Sequence, residues 1–335
     1  MPMNAEPGLF LTWPQQKDAV LAHLRANPAP LKILLKTRND AALLERWITH
    51  HLAIAGPGNL IVFDNGSTDP GVLEIYRRHH AQILLARYDG FFDNLHRVAM
   101  FEDLYAALQA GKGRFVFLDT DEFLVWMEPD GTVLRDARLV QRLREVDAPV
   151  LPGTWLHNLL GFDDRFWLLP DGQGLVEGLT WGKPLIRHDV ALSGVINHNS
   201  QLPLGSYRDR FRANCFVLHL NRLSAQQRIG ANLNKLVAMQ ALPEGTTAAQ
   251  AARLNVENFR EGNIRLYLRE VQQLVSRPQV APDIESPLLP NSMRLLRDGA
   301  LRFQAPAQEE TLRRFLLEPA SFMARAFAGQ VAGAA

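Results

Sequence analysis

Arg114-Phe115-Val116-Phe117-Leu118-Asp119-Thr120-Asp121-Glu122-Phe123 is the stretch on which the fold turns. Its apolar run, Phe115 to Leu118, leads directly into Asp119, Asp121 and Glu122. A continuous apolar run of this kind predicts a strand buried on both faces, as in a parallel sheet. The acids then fall at its carboxyl end, the edge where open α/β sheets bind ligands. Asp119 and Asp121 are two apart, so on a fully extended chain both carboxylates face the same side. Hard oxygen ligands converging there suit Mg2+ or Mn2+, and such an ion suits a phosphate-bearing substrate. The tripeptide alone is close to chance, and acids that merely cap a following turn are the competing reading.

Working outward, the same alternation recurs. Leu31 to Lys36 reads as a strand, and Asn39 or Asp40 then starts a helix with Leu43, Leu44, Trp47, Ile48 and Leu52 on one face. Leu60 to Phe63 is a second buried strand, followed by the turn-rich Asp64-Asn65-Gly66-Ser67-Thr68-Asp69-Pro70. A helix over 72–80, a third strand over 83–86 and a helix over 94–110 precede the opening strand. Strands that alternate with helices in this way specify a doubly wound, mostly parallel α/β sheet with right-handed crossovers.

Beyond the turn at 128–131 the pattern changes. A helix over 139–146 leads into a β-rich stretch from 150 to about 220, and segments 224–240, 247–275 and 307–328 are amphipathic helices. A Pro-rich stretch, 278–290, separates the last two, and the Ala-Gly-rich end reads as frayed. The proline-punctuated segment 1–30 reads as a lead-in that packs on the surface. The expected divisions are this lead-in, a nucleotide-binding α/β half over 31–135, an acceptor-binding half of the same domain over 136–240, and a helical C-terminal extension over 241–335.

Composition excludes several classes. Lys plus Arg (36) nearly cancels Asp plus Glu (35), so nothing advertises nucleic-acid binding. One cysteine, Cys215, allows no intrachain disulfide and no thiolate zinc site. No apolar run reaches the length that crosses a bilayer, and the N-terminus lacks the basic-then-apolar order of a signal peptide, so a cytoplasmic protein is expected. Neither G-x-G-x-x-G nor a Walker A sequence occurs.

The turns after the strands at 31, 60 and 115 open on one edge of a parallel sheet. Topology therefore brings Thr37-Arg38-Asn39, Asp64-Asn65 and Asp119-Asp121 to one crevice. Asp64 is placed to bond a nucleobase or ribose, and Arg38 or Arg97 to meet a phosphate. Their alternatives are a capping acid and ordinary surface arginines.

Lys36-Thr37-Arg38-Asn39-Asp40, Phe63-Asp64-Asn65-Gly66-Ser67-Thr68-Asp69 and Phe117-Leu118-Asp119-Thr120-Asp121-Glu122-Phe123 together resemble successive motifs of family-2-like glycosyltransferases, in the branch whose metal motif reads D-x-D-E-F. The resemblance covers about residues 31 to 125. It continues more weakly through Trp155, Gly161-Phe162, Lys183-Pro184-Leu185-Ile186-Arg187, His198, and His219 followed by Ser224. Leu220 stands where that branch has Tyr, Arg222 sits one place early, and Asp40 replaces the more usual Glu.

The resemblance implies a GT-A fold and transfer of a sugar from a nucleotide-sugar, UDP-linked by expectation, to an acceptor hydroxyl on a glycan, a lipid-linked glycan or a small molecule. By position, Thr37, Arg38, Asp64, Asn65, Arg97, Asp119 and Lys183 belong to the donor site. Asp119, Asp121 and His219 are the implied metal ligands for Mn2+ or Mg2+. For the base, Asp163 and Asp164 lead because paired acids follow a Gly-Phe turn in the acceptor half. Glu122, His157, His188 and His198 are rivals. Two other readings compete: a haloacid-dehalogenase-type phosphohydrolase, with Asp119 as nucleophile, and a non-catalytic nucleotide-sugar-binding module. Membrane association is compatible with such acceptors, but the helical faces are not basic enough to indicate it.

Overall fold

The computed structural model of the chain describes residues 8–207, 212–276 and 286–328. In chain order the first half contains β1 (Leu11–Trp13), α1 (Lys17–Ala26), β2 (Leu31–Thr37), α2 (Ala41–Ala55), β3 (Leu60–Asp64), α3 (Pro70–His79), β4 (Leu84–Tyr88), α4 (Glu102–Ala110) and β5 (Arg114–Leu118). Every residue of β2, β3 and β5 is buried, which is why these strands read as unbroken apolar runs. They pair in parallel in the order β4-β3-β2-β5, and α2 presents Leu44, Trp47 and Ile48 to their face.

The second half adds β6 (Glu122–Met127), β7 (Val133–Leu134), α5 (Ala137–Glu145), β8 (Val150–His157), β9 (Arg165–Trp167), α6 (Gln173–Trp181), β10 (Lys183–Arg187) and β11 (Cys215–His219). The sheet continues across β5 as β10-β8-β11-β6-β7, with β10 antiparallel to both β5 and β8. Ten described strands thus form one sheet, parallel on the early side and mixed on the late side. The α/β class and the doubly wound parallel half stand as expected. Two glycines let α6 lie flat on β8: a Cβ on Gly178 would come within 2.2 Å of the Trp155 carbonyl oxygen, and one on Gly182 within 1.9 Å of that of Gly153. This close approach delivers Lys183, the next residue, to the centre of the sheet.

The remaining elements are α7 (Ala225–Ala238), α8 (Ala248–Ala252), α9 (Gly262–Ser276), β12 (Ser292–Leu295), β13 (Leu301–Phe303), α10 (Pro306–Leu317) and α11 (Ala320–Ala326). Helices α7 to α9 close around a small core of their own, including Leu236, Leu268 and Val271. No helix of the described residues is long and apolar enough to cross a membrane.

Four local expectations change. The lead-in contributes an edge strand, β1, parallel to β4. The helix expected over 94–110 begins only at Glu102, because the backbone before it is held elsewhere: Val98 N–H donates to Gly194 O and Ile196 N–H to His96 O. The helix expected over 247–275 breaks into α8 and α9 around a 3-10 turn at Val256–Asn258. The C-terminal region is not all helical, since β12 and β13 pair and β12 also joins β9. Most of the Pro-rich stretch and the end expected to fray, 329–335, lie outside the described residues.

Candidate active site

The parallel half aligns its strand ends in register, with Thr37 opposite Asp64 and Leu35 opposite Leu118. The loops after β2, β3 and β5 therefore leave from one edge. Asn39, in the left-handed region at φ 50°, stitches two of them together. Its Oδ1 accepts from the N–H groups of Thr68 (2.7 Å) and Asp69 (2.9 Å), and its own N–H donates to Ser67 Oγ. Thr37 and Thr120 hydroxyls meet at 3.2 Å, tying the third loop in.

Asp64 is fully buried. Its carboxylate accepts from Gly66 N–H, Ser67 N–H, Tyr76 Oη and Arg87 Nε, at 2.8 to 3.2 Å. Asn65 points inward as well, its amide donating to Tyr88 O. Both side chains shape the loop from beneath, where the sequence placed Asp64 against a base or ribose.

The turn after β5 is built differently. The chain reverses at Asp119–Asp121, with Glu122 N–H donating to Asp119 O, so the extended geometry assumed from the sequence does not hold and the two aspartates diverge. Glu122 is buried beneath them, accepting from Asp119 N–H and Trp155 Nε1, each at 2.7 Å. Burial raises its pKa above the usual carboxylate range, against the pull of Lys183. With both oxygens taken, Glu122 acts as the prop of the turn.

Asp119 turns to Lys183, whose Nζ lies 2.9 Å from Asp119 Oδ2, 2.7 Å from Asn197 Oδ1 and 3.5 Å from Glu122 Oε2. Burial favours a neutral lysine, but Asp119 and Glu122 outweigh it and raise the Lys183 pKa. Asp119 sits deep in the crevice with 38% of its side chain open to it. Burial works against its charge, yet Lys183, Lys36 and His96 hold its carboxyl far below the usual range. A buried cation from the second half thus fixes an acid from the first.

Asp121 turns the other way, to His219 at the end of β11, with Oδ2 3.4 Å from Nε2. Leu220 N–H donates to Asp121 O at 2.7 Å and locks the two strand ends together. Burial again opposes the Asp121 charge, and His219 lowers its pKa on balance. The His219 ring packs on Trp155 (4.6 Å) and His157 (5.1 Å). Among the described residues no three His, Cys, Asp or Glu side chains converge to hold a metal by themselves. One carboxylate and one imidazole fit an ion that takes its other ligands from phosphate oxygens and water, as Mg2+ and Mn2+ sites commonly do.

Arg38 and Arg97 are exposed on loops of this edge. Asp163 and Asp164 each carry an arginine partner, Arg46 at 3.1 Å and Arg294 at 2.6 Å. His188 follows β10 beside Gly113, at the opposite edge of β5, and so is removed from the crevice. His198 Nδ1–H donates to Trp181 O (2.7 Å) and the ring packs on Trp155; burial lowers its pKa to about 4. His157 is likewise pushed down by burial, to about 3. Both rings are neutral linings.

The residue that sequence reasoning passed over is Asp40. It stands at the N-cap of α2 without a capping hydrogen bond, and burial followed by the Asp121 charge raises its pKa to about 6. The signal was its place directly after Thr37-Arg38-Asn39, at one of the converging loops.

No protein-family model matches the chain, and no curated protein does. Its path is similar to several solved structures at low identity. S. aureus TarS residues 1–349 shares 11% identity over 90% of this chain and 89% of that one, with a TM-score of 0.31. Mannosyltransferase PcManGT from Pyrobaculum calidifontis, in complex with GDP-Man and Mn2+, shares 12% over 92% and 90%, with a TM-score of 0.32. A mycobacterial protein shares 18% over 67% and 80%, with a TM-score of 0.33. Likeness at this level carries no weight for chemistry; the side chains described above do.

Proposed function

We propose that the chain is a metal-assisted glycosyltransferase that moves a sugar from a nucleotide-sugar, UDP-linked by the sequence resemblance, to an acceptor hydroxyl. The observation that carries the reading is the splitting of Asp119 and Asp121 at the carboxyl edge of the sheet: one acid is fixed by Lys183, the other is left beside His219. Asp121 and His219 are the residues that would hold Mn2+ or Mg2+. The ion, when bound, supplies positive charge to a diphosphate. Thr37, buried at the end of β2, ties that loop to Thr120, Asp64 and Asn65 hold the donor loop in shape, and exposed Arg38 and Arg97 are available to phosphate.

In the transfer, the bond from the anomeric carbon to the diphosphate oxygen breaks and its electron pair leaves with the nucleoside diphosphate. The acceptor oxygen bonds to that carbon and loses its proton to a carboxylate. Asp40 is our candidate acceptor of that proton: it opens α2 on the loop after β2, which leaves from the same sheet edge as Asp119 and Asp121. Asp163 and Asp164 are already engaged with arginines. A screen of nucleotide-sugars by thermal shift, with and without Mn2+, tests the reading. A donor-dependent rise that Asp121→Ala removes supports it, and no shift with any common donor counts against it. Donor binding without hydrolysis or transfer would favour a non-catalytic module. Asp40→Asn should slow transfer about a hundredfold while leaving the donor shift in place.

A further inference from the structure

Five of the six tryptophans are buried or half-buried, whereas Trp181, the last residue of α6, is 49% exposed. An indole is among the largest apolar surfaces a side chain offers, and leaving its face in water forgoes that burial. Its place is fixed by a chain of hydrogen bonds that starts at the acid turn. Lys183 Nζ donates to Asp119 Oδ2 (2.9 Å) and to Asn197 Oδ1 (2.7 Å). Asn197 Nδ2 donates to His198 Nε2 (3.2 Å), and His198 Nδ1–H donates to Trp181 O. Both ring nitrogens of His198 are thereby used, so this imidazole has only ring carbons left to offer a ligand.

A second route runs through the rings themselves. The Trp181 and His198 centroids lie 5.7 Å apart and those of His198 and Trp155 5.2 Å, both edge to face. Trp155 lies 4.6 Å from His219 and is anchored by its Nε1, which donates to Glu122. Trp181 is therefore the outer end of an aromatic wall whose inner end meets the Asp121–His219 pair. The rim beside it is polar. Gln201 is exposed, and its Oε1 accepts from the N–H groups of Asn197 (2.6 Å) and His198 (2.8 Å), which leaves its NH2 group to donate elsewhere. A flat apolar ring flanked by an amide donor matches a pyranose, whose C–H face packs on an indole while its hydroxyls accept from amides. A lipid tail would instead need a continuous apolar surface.

We infer that Trp181 is the platform on which a pyranose ring of the acceptor stacks, with Gln201 at its hydroxyls, so that the acceptor is a saccharide. The inference rests on the glycosyltransferase reading and extends it. The inner ring, Trp155, stands beside the pair proposed to hold the diphosphate, and so beside the sugar attached to that diphosphate. Trp181 is two ring contacts farther out, at the exposed rim, which is where the second substrate meets the wall.

Saturation-transfer NMR on the full chain with methyl glucoside, galactoside, mannoside and N-acetylglucosaminide tests it. At least one of these pyranosides should bind wild type, bind about tenfold more weakly to Trp181→Ala, and bind nearly as well as wild type to Trp181→Phe, which keeps a stacking face. Thermal melts should be alike in all three, because the side chain removed is exposed. Equal binding to wild type and Trp181→Ala, or no binding of any of the four to wild type, overturns the platform. The donor thermal shift separates this outcome from its parent. Pyranoside binding that depends on Trp181, with no shift for any donor, keeps the platform and sinks the transferase reading; a donor shift with pyranoside binding indifferent to Trp181 does the reverse.

Discussion

The loop after β3 and the turn after β5 are both acid-rich, leave from the same sheet edge and have closely similar sequence character, yet they do opposite things. In the first, Asp64 is sealed under its loop by four donors, and Asp69 caps α3 through Gly71 and Val72 N–H. In the second, Glu122 takes the supporting role from below, which frees Asp119 and Asp121 to face the crevice. Asp64 takes backbone N–H groups of its own loop, Gly66 and Ser67, and so organises it, whereas the carboxylates of Asp119 and Asp121 find side-chain partners far away in sequence. Lys183 and His219, both from the second half, are those partners.

The sharpest way to break this contrast is Asp121→Asn. It should cut transfer about a hundred- to a thousandfold and leave thermal unfolding nearly unchanged, since its side chain supports no loop. A large loss of stability with it would erase the distinction. Asp64→Ala should do the reverse, lowering unfolding free energy by about 3 kcal/mol in a denaturant titration because several buried donors lose their acceptor. Activity that vanishes while stability holds would return Asp64 to the donor.

The floor of the second region gives a smaller, pH-dependent effect. His51 is buried, with Nδ1 against Trp47 O (2.9 Å) and Nε2 accepting from Leu124 N–H (3.2 Å), so only the neutral ring fits. Burial drives its pKa well below 6.5, so the unfolded chain binds the proton that the folded chain refuses. Stability should rise with pH across this window, and about 2 kcal/mol should be lost between pH 6.5 and 5. Denaturant midpoints for wild type and His51→Asn across that range check it; identical slopes would refute the assignment. The smallest change expected is for Asp163→Asn, an exposed partner of Arg46, which should alter stability by under about 0.5 kcal/mol and transfer by less than threefold. A hundredfold loss of transfer would restore it as the base.

Much of this was legible in the chain. Strands at 31, 60, 83 and 115 follow from apolar runs bounded by turn residues, and the convergence of Thr37, Asp64 and Asp119 follows from their parallel pairing. Other features were hidden for definite reasons. The 92–100 segment carries helical periodicity, but its backbone bonds to 194–196 and the helix starts late. Asp40 looked like a cap because local sequence cannot show the charge of Asp121 beside it.

The sequence by itself determined which residues form strands, which edge collects the acids, and that Asp119 and Asp121 stand at that edge, because hydrophobic period and turn chemistry are local. Only the tertiary structure decided which acid meets a lysine, which meets a histidine, and which is enclosed. Those outcomes depend on β10 pairing with β5 and β11 with β6, strands that lie far earlier in the chain, and on glycines that let α6 approach closely enough to set Lys183 against the Asp119–Glu122 turn.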